Sequence, residues 1–402
     1  MDDTANALAA AGTAPALGGA VRQEWGLDPD FLTVNHGSFG ATPLAVLAAQ
    51  EEWRRRMEAQ PTRFMRNVLP GALRSAAETL GRFLGARGAD IAFVDNATAG
   101  CNAVLRSLRF APGDEILVLD HGYGAVRNAV RYVAERAGAR MVEAAVPFPR
   151  PTAEGVVAAV AGRLGRNTKL AVLDHITSHS ALVLPITEMI AACRERGVSV
   201  LVDGAHGPGM VDLDIPALGA DWYAGNCHKW LSAPKGCAFL WAREGRQQDL
   251  HPAVISHGLG KGFTAEFDWT CTRDPSAWLA VDAAIAFHQR LGGPALRACN
   301  AALAREAAGL VARRLGTETA AGPEFHAAMT LVRLPAAGPA TADRALALRG
   351  RLLDEFHTDA PLHALAGSFW LRLSAQAYNE LDDFARLAEV AAALCASERR
   401  RN

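Results

Sequence analysis

Apolar and polar positions along this chain fall into blocks that switch between two periods. From residue 91 onward, short continuous apolar runs alternate with longer stretches in which apolar residues recur every three or four positions. The short runs predict strands at 91–94, 115–119, 141–146, 170–174 and 198–202, with a further strand-like run at 237–241. The periodic stretches predict helices at 102–108, 125–135, 153–164 and 186–196. Strands buried on both faces read as unbroken apolar runs, so this alternation predicts a mostly parallel sheet with helices on both faces. Ahead of this block, a short strand from Phe31 runs into a loop, and helices are expected at 43–61 and 72–84. Pro43 suits a first helical turn, where no backbone N–H is needed.

Past Pro275 the texture changes. Ala/Arg/Leu-rich helices at 276–291 and 294–315, a strand at 329–334, a helix at 342–356, a strand at 369–374 and a last helix to about 395 predict a separate α+β unit. The expected division is a flexible N-terminal arm over 1–30, a large α/β domain over 31–275 and a small α+β domain over 276–402.

Composition narrows the classes. At 402 residues and 50% hydrophobic content, the chain is long enough to build a sizeable core for each unit. A net charge of −1 gives little electrostatic reason to bind nucleic acid or an anionic membrane. No apolar run reaches the length needed to span a bilayer. The start is acidic and then Ala/Gly-rich, unlike the basic opening and apolar block of a signal peptide. Seven cysteines without a C-x-x-C pair suit free thiols in a reducing cytoplasm. A cytoplasmic α/β protein is expected.

Candidate chemistry concentrates between the runs at 198–202 and 237–241. The first run delivers a carboxylate, Asp203, to the carboxyl edge of the sheet, where α/β proteins bind ligands. The chain has only four lysines against 37 arginines, yet Lys229 stands between His228 and Trp230. An amine is needed where an arginine cannot serve, since guanidinium does not deprotonate to attack a carbonyl. A strand-end Asp followed by His-Lys is what pyridoxal phosphate (PLP) chemistry requires: a carboxylate for the ring nitrogen and an amine for the Schiff base. Two further stretches offer backbone to a ligand. In NHGSFG at 35–40, two glycines permit close approach. In DNATAG at 95–100, small polar residues open a helix whose N-terminus can hold an anion, or Asn96 or Thr98 simply caps it.

NHGSFG, DNATAG, VDGAH at 202–206, NCHKWL-x-APKG at 226–236 and R-x-S-x-x-x-Y-N at 372–379 occur in one order. In this the chain resembles the class V aminotransferase superfamily of fold-type I PLP enzymes, and its isopenicillin N epimerase-like branch in particular, over residues 32–393. The resemblance implies a fold-type I PLP-dependent transferase fold and PLP as cofactor. Lys229 would carry the cofactor and shuttle the α-proton. Asp203 would pair with the pyridine nitrogen, and His206 would lie beside the ring. Ala97, Thr98, Asn226 and His228 match the phosphate cup, and Tyr123 the residue that stacks on the ring. Ser178 falls where related desulfurases carry an Asn against the phenolic oxygen. Arg372 matches the fork that binds the substrate carboxylate, with Asn35 and His36 beside it. Thr272 lies in a loop that neighbouring subunits lend to the phosphate, usually with Gly where Cys271 stands, so a homodimer with shared sites is implied. Lys235 also fits the motif but reads as structural.

The resemblance leaves the reaction open. Residues 354–369 contain no cysteine, which argues against the persulfide chemistry of the related desulfurases. An amino-acid epimerase is expected first, with His36, Tyr123 and His179 as candidate second acids. The alternative is a β-eliminating C–S lyase acting on a cysteine S-conjugate. Transamination, or ligand binding without turnover, stand behind these. The substrate is a small amino acid in each catalytic case.

Overall fold

The computed structural model describes residues 17–401. Strand β1 (Leu32–Thr33) precedes seven strands of one sheet: β2 (Ile91–Val94), β3 (Glu115–Leu119), β4 (Arg140–Ala144), β5 (Thr168–Asp174), β6 (Ser199–Asp203), β7 (Trp222–Asn226) and β8 (Ala238–Ala242). Their order is β2-β8-β7-β6-β5-β3-β4. Pairing is parallel from β7 through β4, and only β8 runs against its neighbours. The sheet is therefore mostly parallel, as the alternating pattern predicts. Val200, Leu201 and Val202 of β6 are fully buried, which is why this strand reads as an unbroken apolar run.

One strand of that sheet went unpredicted. β7, with sequence WYAGN, has no β-branched residue and ends in a glycine and an amide, so its apolar signal is weak. It pairs with β6 on one side and β8 on the other, and Asn226 stands opposite Ala238. Residues 227–237 thus form the connection of an antiparallel pair, and Lys229 sits inside it. The helix expected at 102–108 also starts earlier, at Ala97, because the Asn96 side chain accepts the Ala99 amide at 2.8 Å and caps it.

The smaller unit has a three-stranded antiparallel sheet, order β11-β12-β9, from β9 (Met329–Leu334), β11 (Leu362–Leu365) and β12 (Ser368–Ser374). Helices Pro294–Leu315, Ala342–Phe356 and Leu381–Arg401 cover it. β10 (Thr358–Asp359) pairs in parallel with β1, so Leu32 and Val34 belong to the smaller core although they precede the large sheet in sequence. Conversely Trp278, Leu279, Val281, Ile285 and Phe287 pack in the larger core. The packing passes from one core to the other along helix Pro294–Leu315, where Leu296 belongs to the larger and Ala304 onward to the smaller.

Of the expected N-terminal arm, residues 1–16 lie outside the described residues. Residues 17–30 are packed rather than free: Trp25 is 4% exposed, with its ring 5.2 Å from both Phe287 and Tyr378. An Ala/Gly-rich start hid that anchor from the sequence pattern. Among the described residues, no helix is long and apolar enough to cross a membrane.

Candidate active site

Lys229, Asp203, His206 and Arg372 are all buried and meet where the carboxyl ends of β5, β6 and β7 face the smaller unit. The glycines of the two flanking motifs make this approach possible. Gly40 has φ +70, and a Cβ there would fall 2.0 Å from the His228 carbonyl oxygen. Gly204 carries the chain past Tyr223, whose ring would meet a Cβ at 1.9 Å. Both positions exclude any larger residue.

Lys229 Nζ lies 3.1 Å from His206 Nε2, and His206 Nδ1 accepts the Trp230 indole N–H at 3.2 Å. Burial pushes the Lys229 ammonium down to about 8, with Asp203 pulling the other way. Burial, reinforced by Lys229, holds His206 well below the usual imidazole range. Asp203 Oδ1 accepts the Ala205 amide at 3.1 Å, and burial still raises its pKa. Directly opposite it in register stands Asp174, a second strand-end carboxyl that the sequence reading passed over. Burial and then Asp203 hold Asp174 well above the carboxylate range, while its Oδ1 accepts the Tyr123 amide at 3.2 Å. Two adjacent buried carboxyls do not both ionise without a cation between them.

At the start of helix Ala97–Ser107, Asn226 Oδ1 accepts the Ala97 amide at 2.8 Å. Asn96 takes the Ala99 and Gly100 amides, leaving the Thr98 amide and hydroxyl without a protein partner among the described residues. His228 Nδ1 donates to the Cys237 carbonyl at 3.0 Å, which leaves Nε2 free. The Thr98 amide and hydroxyl are thus open donors at a helix N-terminus, where an anion is favoured. Tyr123, whose amide Asp174 accepts, is 39% exposed.

Arg372 is 2% exposed and lies on β12. Nη1 donates to the Ser178 carbonyl at 2.7 Å; Nη2 donates to Asn35 Oδ1 at 3.0 Å and Ser38 Oγ at 2.7 Å. Nε is buried with no partner. Burial pushes this guanidinium down to about 10. Asn35 in turn donates to Asp359 at 2.9 Å, so it holds the arginine in place. Ser178 likewise faces the arginine.

His36 departs from the expected role. Its Nε2 donates to the Lys229 carbonyl at 2.9 Å and its Nδ1 accepts from the Tyr378 hydroxyl at 3.0 Å. Both nitrogens are committed to the protein, so His36 braces the lysine's backbone and has no free group for a substrate. Lys235 donates to the Gly40 carbonyl at 2.9 Å, tying the 35–40 loop to the lysine loop. Thr272 is exposed and makes no hydrogen bond among the described residues, whereas Arg273 beside it pairs with Asp95. Trp230 was missed because a Trp after the lysine reads as core. His363 was missed because β11 was; its ring lies 4.7 Å from that of His179, close to Arg372.

A strand-end carboxyl, a buried lysine of lowered pKa, a helix N-terminal anion cup and a buried arginine are the parts of a fold-type I PLP site, and the donor set fits that cofactor. The chain belongs to the class V aminotransferase family, whose model, described as Aminotransferase class-V, matches residues 40–383. It is 34% identical over 391 residues to the probable chloroplastic L-cysteine desulfhydrase of Arabidopsis thaliana, covering 90% of this chain and 82% of that one. It is 35% identical over 387 residues to isopenicillin N epimerase of Streptomyces clavuligerus, covering 92% and 96%. Among solved structures, a C-DES mutant with glycine covalently linked to the PLP cofactor superposes with TM-score 0.78 at 23% identity, covering 92% of this chain and 98% of that one. That likeness is one of fold.

Proposed function

We propose that the protein is a PLP-dependent enzyme acting at the α-carbon of a small amino acid, as a β-eliminating C–S lyase or an amino-acid epimerase. The observation that carries this reading is the burial of Lys229 beside Asp203 and Arg372. A lysine held near pKa 8 is a nucleophile and a proton carrier at neutral pH, which an ordinary lysine is not. Asp203 would hold the pyridine nitrogen, and Thr98, Asn226 and His228 the phosphate. Arg372 would orient the α-carboxylate, its unpartnered Nε providing a further donor. When bound, PLP supplies the sink for the charge left on the α-carbon as its proton departs.

Of the two reactions, elimination asks less of the side chains. Lys229 takes the α-proton, and the Cβ–S bond breaks with its electron pair leaving on sulfur. Protonation then releases a thiol, and hydrolysis gives pyruvate and ammonia. Epimerisation needs a second acid on the opposite face. With His36 committed, Tyr123 and His179 remain, their rings 6.5 Å apart. That pair keeps the epimerase as the second reading. The likeness to L-cysteine desulfhydrases and isopenicillin N epimerases supports both.

We further read the protein as a cytoplasmic homodimer. Seven free cysteines support the compartment. Exposed Phe39, Leu44 and Leu47, next to the Asn35 loop, support a partner.

Incubation with L-cysteine, its S-conjugates and other amino acids in deuterated water tests the reading. Pyruvate with a released thiol marks elimination; deuterium in substrate of inverted configuration marks epimerisation. Neither product, and no exchange that Lys229→Ala abolishes, would overturn both.

A further inference from the structure

Trp230 is 2% exposed and follows the lysine in sequence. Its indole orientation is set by neighbours on two sides. The His36 ring lies 5.2 Å away, and a Cβ on Gly37 would reach the indole at 3.2 Å. Gly209, at φ +82, passes so near that a Cβ there would fall 2.6 Å from the Trp230 carbonyl oxygen. In this pose Nε1 points at His206 Nδ1 at 3.2 Å, and His206 Nε2 faces Lys229 Nζ at 3.1 Å.

Donor and acceptor rules then leave one arrangement. Indole nitrogen donates and never accepts, so His206 Nδ1 carries a lone pair and no proton. The charges that face His206 are Lys229, Arg372, His179 and His228, and burial and all four disfavour imidazolium. A neutral ring with a bare Nδ1 has its only proton on Nε2. That N–H points at Lys229 Nζ, and a donor cannot face an ammonium. Lys229 must accept, which it does only as the free amine.

We propose that Trp230 is a positioning residue that fixes His206 in its Nε2–H form. His206 is thereby a hydrogen-bond donor beside the cofactor's lysine and is barred from acting as a base there. Proton transfer on the lysine's face of the substrate falls to Lys229 alone. Only this last clause rests on the reading of Lys229 as the amine that holds PLP; the tautomer stands without it. A tryptophan serving packing alone would leave His206 free to take either form.

The test uses the unaltered protein first. In histidine-labelled nitrogen NMR of the PLP-loaded and stripped protein, the two His206 signals, assigned by their loss in His206→Gln, should show Nδ1 unprotonated and Nε2 protonated. Protonated Nδ1 in both states overturns the proposal. Trp230→Phe then removes the donor while keeping an aromatic ring. His206 Nε2 becomes free to accept from an ammonium, so the pH midpoint for PLP capture by the stripped protein, read by absorbance, should rise by about one unit. An unmoved midpoint with an unmoved tautomer assigns Trp230 to packing and sinks the idea. Where Trp230→Phe does not fold, the NMR of the unaltered protein decides. A protein that captures no PLP refutes the proposed function and leaves the tautomer measurement standing.

Discussion

At the residue scale, two side chains have jobs that their contacts define closely enough to predict. Arg372 is held by four oxygen contacts from Ser178, Asn35 and Ser38, and still has a buried Nε to spare. Arg372→Lys keeps a positive charge but loses the planar fork. PLP capture should persist while amino-acid binding, read by spectral titration, weakens by about 1–3 kcal/mol. An unchanged substrate titration would remove Arg372 from the carboxylate site. His228 makes a second case. Its Nδ1–H is used on the Cys237 carbonyl, and burial, then Lys229, pushes the ring down to about 4. At pH 8 it is therefore neutral with a bare Nε2, which cannot donate to a phosphate. Binding of inorganic phosphate at pH 8 should take up close to one proton, measured by calorimetry in buffers of different ionisation enthalpy. His228→Gln should abolish the uptake. Absence of uptake, together with a phosphate affinity that His228→Gln leaves unchanged, means that His228 does not contact the anion. Both residues were legible as chemistry-bearing from their motifs, but the state of their protons was not. That depends on partners such as Cys237 and Ser178, which sequence cannot place.

At the scale of elements, legibility followed the strength of the local signal. β3, β9 and helices Pro294–Leu315 and Ala342–Phe356 fall where the pattern puts them, since the strands are apolar along most of their length and buried helix positions recur every three or four residues. β7 and β11 escaped because Gly225 and His363 dilute the strand pattern, although each pairs with a strand adjacent in sequence. The 35–40 segment shows the same limit. It reads as an open loop, yet His36–Phe39 forms a helical turn pinned under the lysine loop. Gly40 is what permits this. Its φ of +70 and ψ of 159 belong to glycine alone, and the His228 carbonyl occupies the place of any Cβ. Gly40→Ala should cost about 3 kcal/mol or more in urea unfolding, from strain and overlap together. In the folded fraction PLP capture should slow, because the displaced backbone carries Lys229. A variant of unchanged stability would show that the two loops do not meet as described.

At the scale of the whole molecule, the site looks incomplete in one chain. Phe39, Leu44 and Leu47 stand exposed beside the Asn35 loop, and Val254, Ile255 and Leu259 are also uncovered. Exposed apolar patches on a monomer commonly mark a surface that a partner covers. The loop after Trp269 has a related oddity. Cys271 sits at φ +76, a conformation that suits glycine, and Thr272 next to it is exposed, with no hydrogen bond among the described residues. Strain of this kind persists only where surroundings repay it. A phosphate with up to two charges needs more donors than the Thr98 helix end can offer. A Thr272 hydroxyl arriving from a partner would supply one, and would link cofactor retention to assembly, because a ligand that binds only the dimer stabilises the dimer. Complementation checks this directly. Lys229→Ala and Thr272→Val proteins, each of low activity, are mixed and allowed to exchange subunits. If the hydroxyl crosses the interface, each heterodimer holds one site with both native residues and one with neither, and activity partly returns. If Thr272 served its own chain's site, each site would keep one defect and mixing would restore nothing. Mass spectrometry showing heterodimers without recovered activity would assign Thr272 to its own chain.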